Sequence, residues 1–520
     1  MATPARPLER LALRLLTRAD ALANRVYDQR FNPLYQSGTI VVALYVVLFV
    51  TGLWLLIFYR VGAPWESVAR LTADHWTGNW VRGLHRYASD LAVVATVVHA
   101  FRMFAQGRSW GARTMAWVSG CLLLGLTFVC GWTGYVMVWD AFGQHLAREG
   151  ARVLDALPIL SEPTSRAFTG EQPVPMAFFF LTLFAHIGVP LAMGVFFWLH
   201  VKRLARPRLL PPRVVTWSVI GALTATAVLW PLTMAPKADA LLLPAVVPAD
   251  LFFAFWIPVG QRLSGGQALL AGTAVALVLL AIPRFTARRG AAPPSAVDAD
   301  LCVGCNQCAI DCPYGAITMI ERTTRGSPLV ASVDPSLCVS CGICAGSCPP
   351  MGVGPPGRTG RDQMAHGRSV VASADWRAGE IAVICCERGA GASAAAIAEA
   401  GATPYPVDCA GNLHTSVIEL LLRGGASGVL VLSCPARDCW HREGAKWLVE
   451  RVHHEREAEL QARVDRARVR IAQVGAGERT QAIALVRSFD ADMRALGVRS
   501  AGGEADLDVA CEAALVEGPP

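Results

Sequence analysis

The stretch "VRGLHRYASDLAVVATVVHAFRMF" at residues 81–104 decides the fold of the first half of the chain. It carries His85 and His99, fourteen residues apart, within a largely apolar run. A later apolar run carries His186 and His200 at the same separation. Fourteen helical residues make nearly four turns and rise ~21 Å, so both members of a pair lie on one helix face, near opposite ends of a span. Two such helices facing each other would form two histidine pairs.

Ionisable side chains within a membrane are costly and usually functional. Each pair therefore predicts two axial ligands of a haem iron, and four unrelated packing histidines are the alternative. Glycines repeat the fourteen-residue period on the first and third apolar runs, at Gly38, Gly52, Gly120 and Gly134. Because glycine has no Cβ, it lets a flat macrocycle approach the helix backbone. These patterns predict two haems held in an all-α four-helix bundle.

Six apolar stretches are long enough, or nearly so, to cross the ~30 Å hydrocarbon core of a bilayer. They run roughly over residues 38–59, 82–104, 114–137, 176–201, 214–233 and 267–285. A shorter piece, "PADLFFAFWIPV" at 248–259, is expected to be interfacial or re-entrant. The loops on the side of the N-terminus hold 17 basic residues and those on the other side hold 8. The positive-inside rule then predicts a multi-pass protein of the cell inner membrane, with the N-terminus and everything after residue 286 in the cytoplasm.

The composition agrees with a partly membrane-embedded chain. Of its 520 residues, 53% are apolar and only 17% are charged. The net charge of +7 is carried largely by arginines that flank apolar runs. No basic stripe interleaved with aromatic residues is present, so the sequence does not indicate a nucleic-acid-binding protein.

Two cysteine runs, "CVGCNQCAIDCP" at 302–313 and "CVSCGICAGSCPP" at 338–350, repeat one spacing and end in proline. This spacing is typical of bacterial two-cluster ferredoxins, in which the fourth cysteine of each run ligates the other cluster. The predicted [4Fe–4S] ligand sets are Cys302, Cys305, Cys308 and Cys348, and Cys338, Cys341, Cys344 and Cys312. Zinc is the alternative, but it leaves the third spacing and the trailing prolines unexplained.

After residue 380, short apolar strands alternate with helical stretches, including a charged helix near 442–465. This alternation predicts an α/β domain with a parallel sheet, whose strands end at one shared crevice. Five thiols lie at or just after predicted strand ends: Cys385, Cys386, Cys409, Cys434 and Cys439. They would suit a [2Fe–2S] cluster, with one member of the adjacent pair turned away. Buried structural cysteines are one alternative, and disulfide exchange between Cys434 and Cys439 is another.

Together with "GWTGYVMVWDAFGQ" at 131–144, the first histidine stretch resembles the cytochrome b of bc-type quinol-oxidising complexes, over about residues 20–210. The resemblance implies quinone chemistry at the membrane faces and allows a homodimer in membrane lipid. It also implies that one haem b near the outer surface is held by His85 and His186, and one near the cytoplasm by His99 and His200. Arg86 and Arg102 would then be available for haem propionates.

Two departures from this family change the expected chemistry. Gln36 occupies the position where chloroplast-type relatives attach a further haem through cysteine, so no covalent haem is expected. The family's Pro-Glu-Trp-Tyr element would fall on residues 252–255, where the proton-accepting glutamate is absent. Asp140 remains a candidate catalytic proton group, or a plain helix-end carboxylate. A quinone site at the cytoplasmic face is less affected by these changes than an outer quinol site.

The segments "VICCERGA" at 383–390 and "VDCAGNLHTSVIELLLRGGASGVLVLSCPARDCWHREG" at 407–444 resemble another family. This is the delta (iron–sulfur) subunit of methyl-viologen-reducing hydrogenases, matched over about 378–500. The family links a hydrogenase or formate dehydrogenase to heterodisulfide-reductase-type flavoproteins. The resemblance therefore implies a cytoplasmic redox partner of that kind.

The predicted organisation has seven parts. They are a cytoplasmic segment (1–37), a di-haem bundle (38–210), two further transmembrane helices (211–285), a ferredoxin unit (298–350), a linker (351–377), an α/β iron–sulfur domain (378–500) and a tail (501–520). The predicted function is that of an electron-transfer subunit in a quinone-linked oxidoreductase complex. A membrane anchor without quinone chemistry and a bc-type quinol oxidase are the alternatives.

Overall fold

The computed structural model describes residues 7–157, 163–168, 174–202, 204–239, 250–287, 292–374, 380–389 and 394–496. The chain divides into two compact units, Met1–Ala291 and Ala292–Pro520, and each is treated by itself. The predicted tail at 501–520 and the first two residues of the 248–259 segment lie outside the described residues.

The described part of the first unit is helical. Its helices are α1 (Pro7–Phe31), α2 (Ser37–Phe58), α3 (Pro64–Ala73), α4 (Gly78–Ala105), α5 (Thr114–Val138), α6 (Ala141–Leu154), α7 (Met176–Val201), α8 (Arg213–Leu229), α9 (Ile257–Gly260) and α10 (Gly265–Thr286). Local signals explain several of the starts, since Pro64 opens α3 and a Ser264–Gln267 capping box opens α10.

Five helices in the described residues are long and apolar enough to cross a membrane, and they correspond to α2, α4, α5, α7 and α10. The predicted span at 214–233 becomes α8, which has 17 residues and rises ~26 Å. That length falls short of the ~30 Å hydrocarbon core. Six full spans therefore remain a prediction.

Helix α2 packs against α4, and α5 packs against α7. On α4, Leu84 and Ala88 are buried beside Leu44 of α2 and Ala227 of α8. Small residues permit this closeness, because a Cβ built on Gly83 of α4 would lie 3.1 Å from the Cβ of Ala227. The two helices that carry the histidines, α4 and α7, each belong to one of these pairs, and both lie in the first unit. The count of four helices in the bundle stays a prediction.

The second unit begins with two small antiparallel strand pairs. Strand β1 (Ala296–Val297) pairs with β4 (Val353–Gly354), and β2 (Ile317–Glu321) pairs with β3 (Leu329–Val333). Short helices α11 (Gln307–Asp311) and α12 (Ile343–Gly346) lie within the two cysteine runs. Helix α13 (Gly360–Ser373) follows and starts with a Thr359–Asp362 capping box.

A four-stranded parallel sheet completes the second unit, as the strand–helix alternation predicts. Its order is β6-β5-β7-β8, and both central strands are wholly buried. The strands are β5 (Ile381–Cys386), β6 (Thr403–Val407), β7 (Gly428–Ser433) and β8 (Val469–Gln473), and the helices are α14 (Ala394–Glu399), α15 (Thr415–Arg423), α16 (Gly444–His453) and α17 (Arg479–Ala495). The prediction of a charged helix near 442–465 is wrong at its end, because α16 stops at His453.

Strand β6 lies at one edge of the sheet and contains Pro404 and Pro406. The carbonyl of Val407 accepts a hydrogen bond from the backbone N–H of Glu387, next to β5. Backbone groups alternate in direction along a strand, so the prolines have their nitrogens toward the open edge.

Candidate metal centres

The two helices α4 and α7 bring the four histidines together as two pairs. The ring centroids of His85 and His186 are 6.4 Å apart, and those of His99 and His200 are also 6.4 Å apart. Two imidazole nitrogens bound on opposite sides of one metal ion lie ~4 Å apart, because each metal–nitrogen bond is ~2 Å long. The ring centres lie outside those nitrogens, so both pairs leave room for one iron atom between the rings. The residues therefore fit bis-histidine haem ligation.

Hydroxyl groups on α2 and α5 hold the Nδ1 side of three of these rings. Thr51 Oγ1 is 2.8 Å from His85 Nδ1, Ser119 Oγ is 3.1 Å from His200 Nδ1, and Thr133 Oγ1 is 3.0 Å from His186 Nδ1. The three hydroxyls also donate to carbonyls of their own helices. Each therefore accepts from the ring N–H at Nδ1, which leaves the Nε2 lone pair for a metal.

Sequence reasoning missed these hydroxyls, although a signal was present. A serine or threonine directly precedes every glycine of the fourteen-residue pattern: Ser37–Gly38, Thr51–Gly52, Ser119–Gly120 and Thr133–Gly134. The same repeat thus contains both a small residue and a hydrogen-bond acceptor.

The four glycines lie against the histidine rings. A Cβ built on Gly38 would be 2.8 Å from the His99 ring, and one on Gly134 would be 3.0 Å from the His186 ring. At Gly52 and Gly120 the corresponding distances to His85 and His200 are 3.3 and 3.4 Å. The glycines thus make space for the imidazoles, and their predicted contact with haem planes stays a prediction.

Both arginines predicted to bind propionates have carboxylate partners from the protein. Arg102 is buried and donates to both carboxylate oxygens of Asp20, at 2.8 and 3.1 Å. Arg86 pairs with Asp90 and, at 2.8 Å, with Asp250. The propionate role of both arginines stays a prediction.

Asp140 occupies the N-cap position of α6. One of its carboxylate oxygens accepts from the backbone N–H of Gly143 at 2.9 Å, and the other accepts from that of Ala235 at 3.1 Å. This is the helix-end alternative, and the proton role stays a prediction. The missing glutamate would fall on Phe253, and three residues earlier Asp250 caps a turn by accepting from the backbone N–H groups of Phe252 and Phe253. Tyr135 donates to the same carboxylate.

In the second unit, a cavity is lined by the four thiols of one crossed set: Cys302, Cys305, Cys308 and Cys348. Burial and the neighbouring thiols, among them Cys344 and Cys348, raise the pKa of the Cys308 thiol to about 12. Cys348 belongs to the other cysteine run, so the fold brings the two runs together as the ferredoxin pattern predicts.

The second crossed set lies beside the first. Burial is the main reason why the pKa of Cys341 lies well above its usual value. The nearby thiols of Cys344, Cys312 and Cys338 raise it further. Backbone N–H groups approach several sulfurs, as Ala316 does at Cys312 (3.3 Å) and Gly352 at Cys348 (3.3 Å). Such donors stabilise thiolates and tune iron–sulfur centres.

Four of the five thiols predicted at strand ends cluster at the carboxyl ends of the strands: Cys386, Cys409, Cys434 and Cys439. Hydrogen bonding with the Cys434 thiol lowers the pKa of Cys439 to about 6, and the same thiol also lowers the pKa of Cys386. Cys385 precedes Cys386 on β5, and the alternation of side chains along the strand turns it to the opposite face. The prediction that one of the adjacent pair turns away thus identifies Cys385.

Among the described residues, no group of three or more His, Cys, Asp or Glu side chains converges closely enough for a single metal ion. Multi-iron clusters take their ligands around the outside of a larger body, so their thiols are spread further apart. The choice between iron–sulfur clusters and zinc at these cysteines stays a prediction.

Family comparisons agree with the three sites in their order along the chain. Residues 22–206 match cytochrome b/b6/petB, residues 301–351 match the 4Fe-4S dicluster domain, and residues 381–497 match the delta subunit of methyl-viologen-reducing hydrogenase. Three parts of the chain are therefore similar to three known families. The predicted resemblances are confirmed, and the segments are named here the cytochrome b, dicluster and delta segments.

A chain of a solved structure, "Hyperthermophilic respiratory Complex III", is also similar, with 16% identity and a TM-score of 0.38. The match covers 48% of this chain and 75% of that chain.

The cytochrome b segment and the five apolar helices make this a multi-pass membrane protein. The cytochrome b segment implies haem b, and the dicluster segment implies iron–sulfur clusters. With the delta segment, they support a membrane-bound electron-transfer subunit.

Proposed function

We propose that this protein carries electrons between the quinone pool and a cytoplasmic redox protein, as a subunit of a quinone-linked oxidoreductase complex. The observation that carries the proposal is the pair of histidine couples at 6.4 Å on the same two helices. Haem b and iron–sulfur clusters, when bound, exchange single electrons. The residues of the chain supply ligands, exclude water and fix the spacing between the carriers.

The proposed ligands divide into two haem sites, stacked along α4 and α7. His85 and His186 hold one haem b, and His99 and His200 hold the other. The two histidines on each helix are separated by a rise of ~21 Å. Electron transfer between the two haem sites would therefore cross much of the membrane. Such transfer is sensitive to the membrane potential, at ~2.3 kcal/mol per charge per 100 mV.

In the dicluster segment, the crossed cysteine sets hold two [4Fe–4S] clusters. In the delta segment, a [2Fe–2S] cluster takes Cys386, Cys409, Cys434 and Cys439, while Cys385 lies on the other face of β5. Support for this choice comes from the closeness of the Cys434 thiol to those of Cys386 and Cys439, and from the position of all four thiols at the carboxyl ends of the strands.

The quinone site is proposed at the cytoplasmic face, near His99 and His200. The partner is proposed to be a hydrogenase, a dehydrogenase or a heterodisulfide-reductase-like flavoprotein, in keeping with the name of the delta family. The protein is placed in the cell inner membrane, with both iron–sulfur segments on the cytoplasmic side, and a homodimer is expected.

An anaerobic redox titration of the purified full-length protein, followed by optical and EPR spectroscopy, tests this proposal. We expect two haem b transitions, two [4Fe–4S] signals and one [2Fe–2S] signal. A quinone analogue should shift one haem spectrum. Protein without haem b absorbance would refute the proposal, and haem spectra unmoved by the analogue would favour an anchor without quinone chemistry.

A further inference from the structure

Arg451 on α16 is wholly buried in the second unit. Its Nη1 donates to the hydroxyl of Ser347 at 2.8 Å, and its Nη2 donates to the carbonyl of Gly411 at 2.8 Å and to that of Leu413 at 3.4 Å. All three of these acceptors are uncharged. Burying a guanidinium costs free energy unless a negative charge compensates it.

The nearest carboxylate in this network is already shared. Asp311 is wholly buried and accepts from the Ser347 hydroxyl at 2.7 Å. It also forms an ion pair with Arg456, whose side chain is 24% exposed. The hydrogen-bonded group of Arg451, Ser347, Asp311 and Arg456 therefore carries one more positive than negative charge.

This group touches the loops of all three predicted iron–sulfur sites. Asp311 directly precedes Cys312, Ser347 directly precedes Cys348, and Gly411 lies two residues after Cys409. The segments are also joined by neutral contacts, since Asn412 Nδ2 donates to the carbonyl of Gly342 at 2.9 Å. One buried cation thus lies where three cysteine sets meet.

We propose that the charge of Arg451 stabilises the reduced form of the iron–sulfur centres held by the surrounding cysteine sets. The inference rests on the proposed iron–sulfur ligation. A centre with four thiolate ligands is anionic, and one-electron reduction adds a further negative charge. The guanidinium is attracted more strongly to the reduced form, so it shifts the reduction equilibrium toward that form.

The test is an EPR-monitored redox titration of the full-length protein, with dithionite as reductant, in wild type and in Arg451→Gln. In Arg451→Gln, we expect the equilibrium constant for reduction of at least one [4Fe–4S] centre to fall by tenfold or more. For one electron this is a fall of ~59 mV in the reduction potential. Arg451→Lys keeps the charge and should restore much of the potential. Unchanged potentials in Arg451→Gln with full iron content would overturn the inference.

Asp311→Asn should shift the reduction potentials in the opposite direction, because it removes the negative charge and leaves both arginines. The potentials should therefore rise. This variant tests the inference even if Arg451→Gln fails to retain iron. A fall or no change in Asp311→Asn would contradict the inference.

Arg468→Gln is the matched control. Arg468 also donates to two backbone carbonyls, those of Ser427 and Ala426, but at the opposite, amino end of β7. Its loss should leave the potentials unchanged. The wild-type spectrum separates the two proposals: absent iron–sulfur signals refute the proposed function, whereas normal signals with unmoved variant potentials refute only the role of Arg451.

Discussion

At the scale of single residues, the hydroxyls beside the histidines should influence the proposed haems. In Thr51→Val, His85 loses the acceptor that lies 2.8 Å from its Nδ1. A weaker hydrogen bond at Nδ1 makes the imidazole a poorer electron donor, so the midpoint potential of that haem should rise. The loss of one hydrogen bond is worth ~1 kcal/mol.

Optical redox titration checks this prediction. Thr96→Val is the control, because Thr96 also lies on a membrane helix and donates only to the carbonyl of Ala92 among the described contacts. Equal shifts in the two variants would indicate a general effect of removing a threonine.

Gly134 should be required for one haem site. A valine side chain there would begin 3.0 Å from the His186 ring and would push the imidazole out of line with His85. We expect Gly134→Val to lose one of the two proposed haems and to keep the other. Gly125 lies on the same helix with nothing within 4 Å of a built Cβ, so Gly125→Val should keep both. The measurement is the haem-to-protein ratio with low-temperature optical spectra.

At the scale of elements, Asp140 distinguishes a cap from a proton group. Asp140→Ala removes the acceptor for Gly143 and should lower the stability of the α6 region by ~1 kcal/mol, measured as a lower thermal midpoint. Asp140→Asn keeps an acceptor and should retain most of that stability. If Asp140 only caps α6, the pH dependence of quinone reduction is the same in Asp140→Asn and wild type. An altered pH profile would support the predicted proton role.

The sequence was informative where a regular period met a specific chemistry. The fourteen-residue spacing identified both histidine pairs, and strand ends located the C-terminal thiols. It failed at the end of α16, because the charged stretch after His453 continues the composition of a helix. There the chain turns back and Arg456 reaches Asp311, 145 residues earlier. Tertiary ion pairs of this kind leave no periodic signal, so Arg451 and Asp311 could not be singled out beforehand.

At the scale of the whole molecule, removal of iron should affect the second unit unevenly. The dicluster segment has small strand pairs, with only two residues each in β1 and β4, so its order should depend on cysteine–iron bonds. Strands β5 and β7 are wholly buried and should remain folded. Hydrogen exchange of the full-length protein after iron chelation should show lost protection at residues 296–354 and retained protection in β5 and β7. Uniform loss across both regions would contradict this expectation.

The edge strand β6 has a consequence for how the protein meets other chains. With Pro404 and Pro406 facing outward, this edge offers few N–H donors to an incoming strand, so strand addition and edge-to-edge aggregation are disfavoured there. Membrane proteins are confined to a surface at high local density, where unpaired edges meet often. We therefore expect a protein partner that extends the sheet to pair with β8, the strand at the opposite edge. Neighbouring chains would seldom pair with β6.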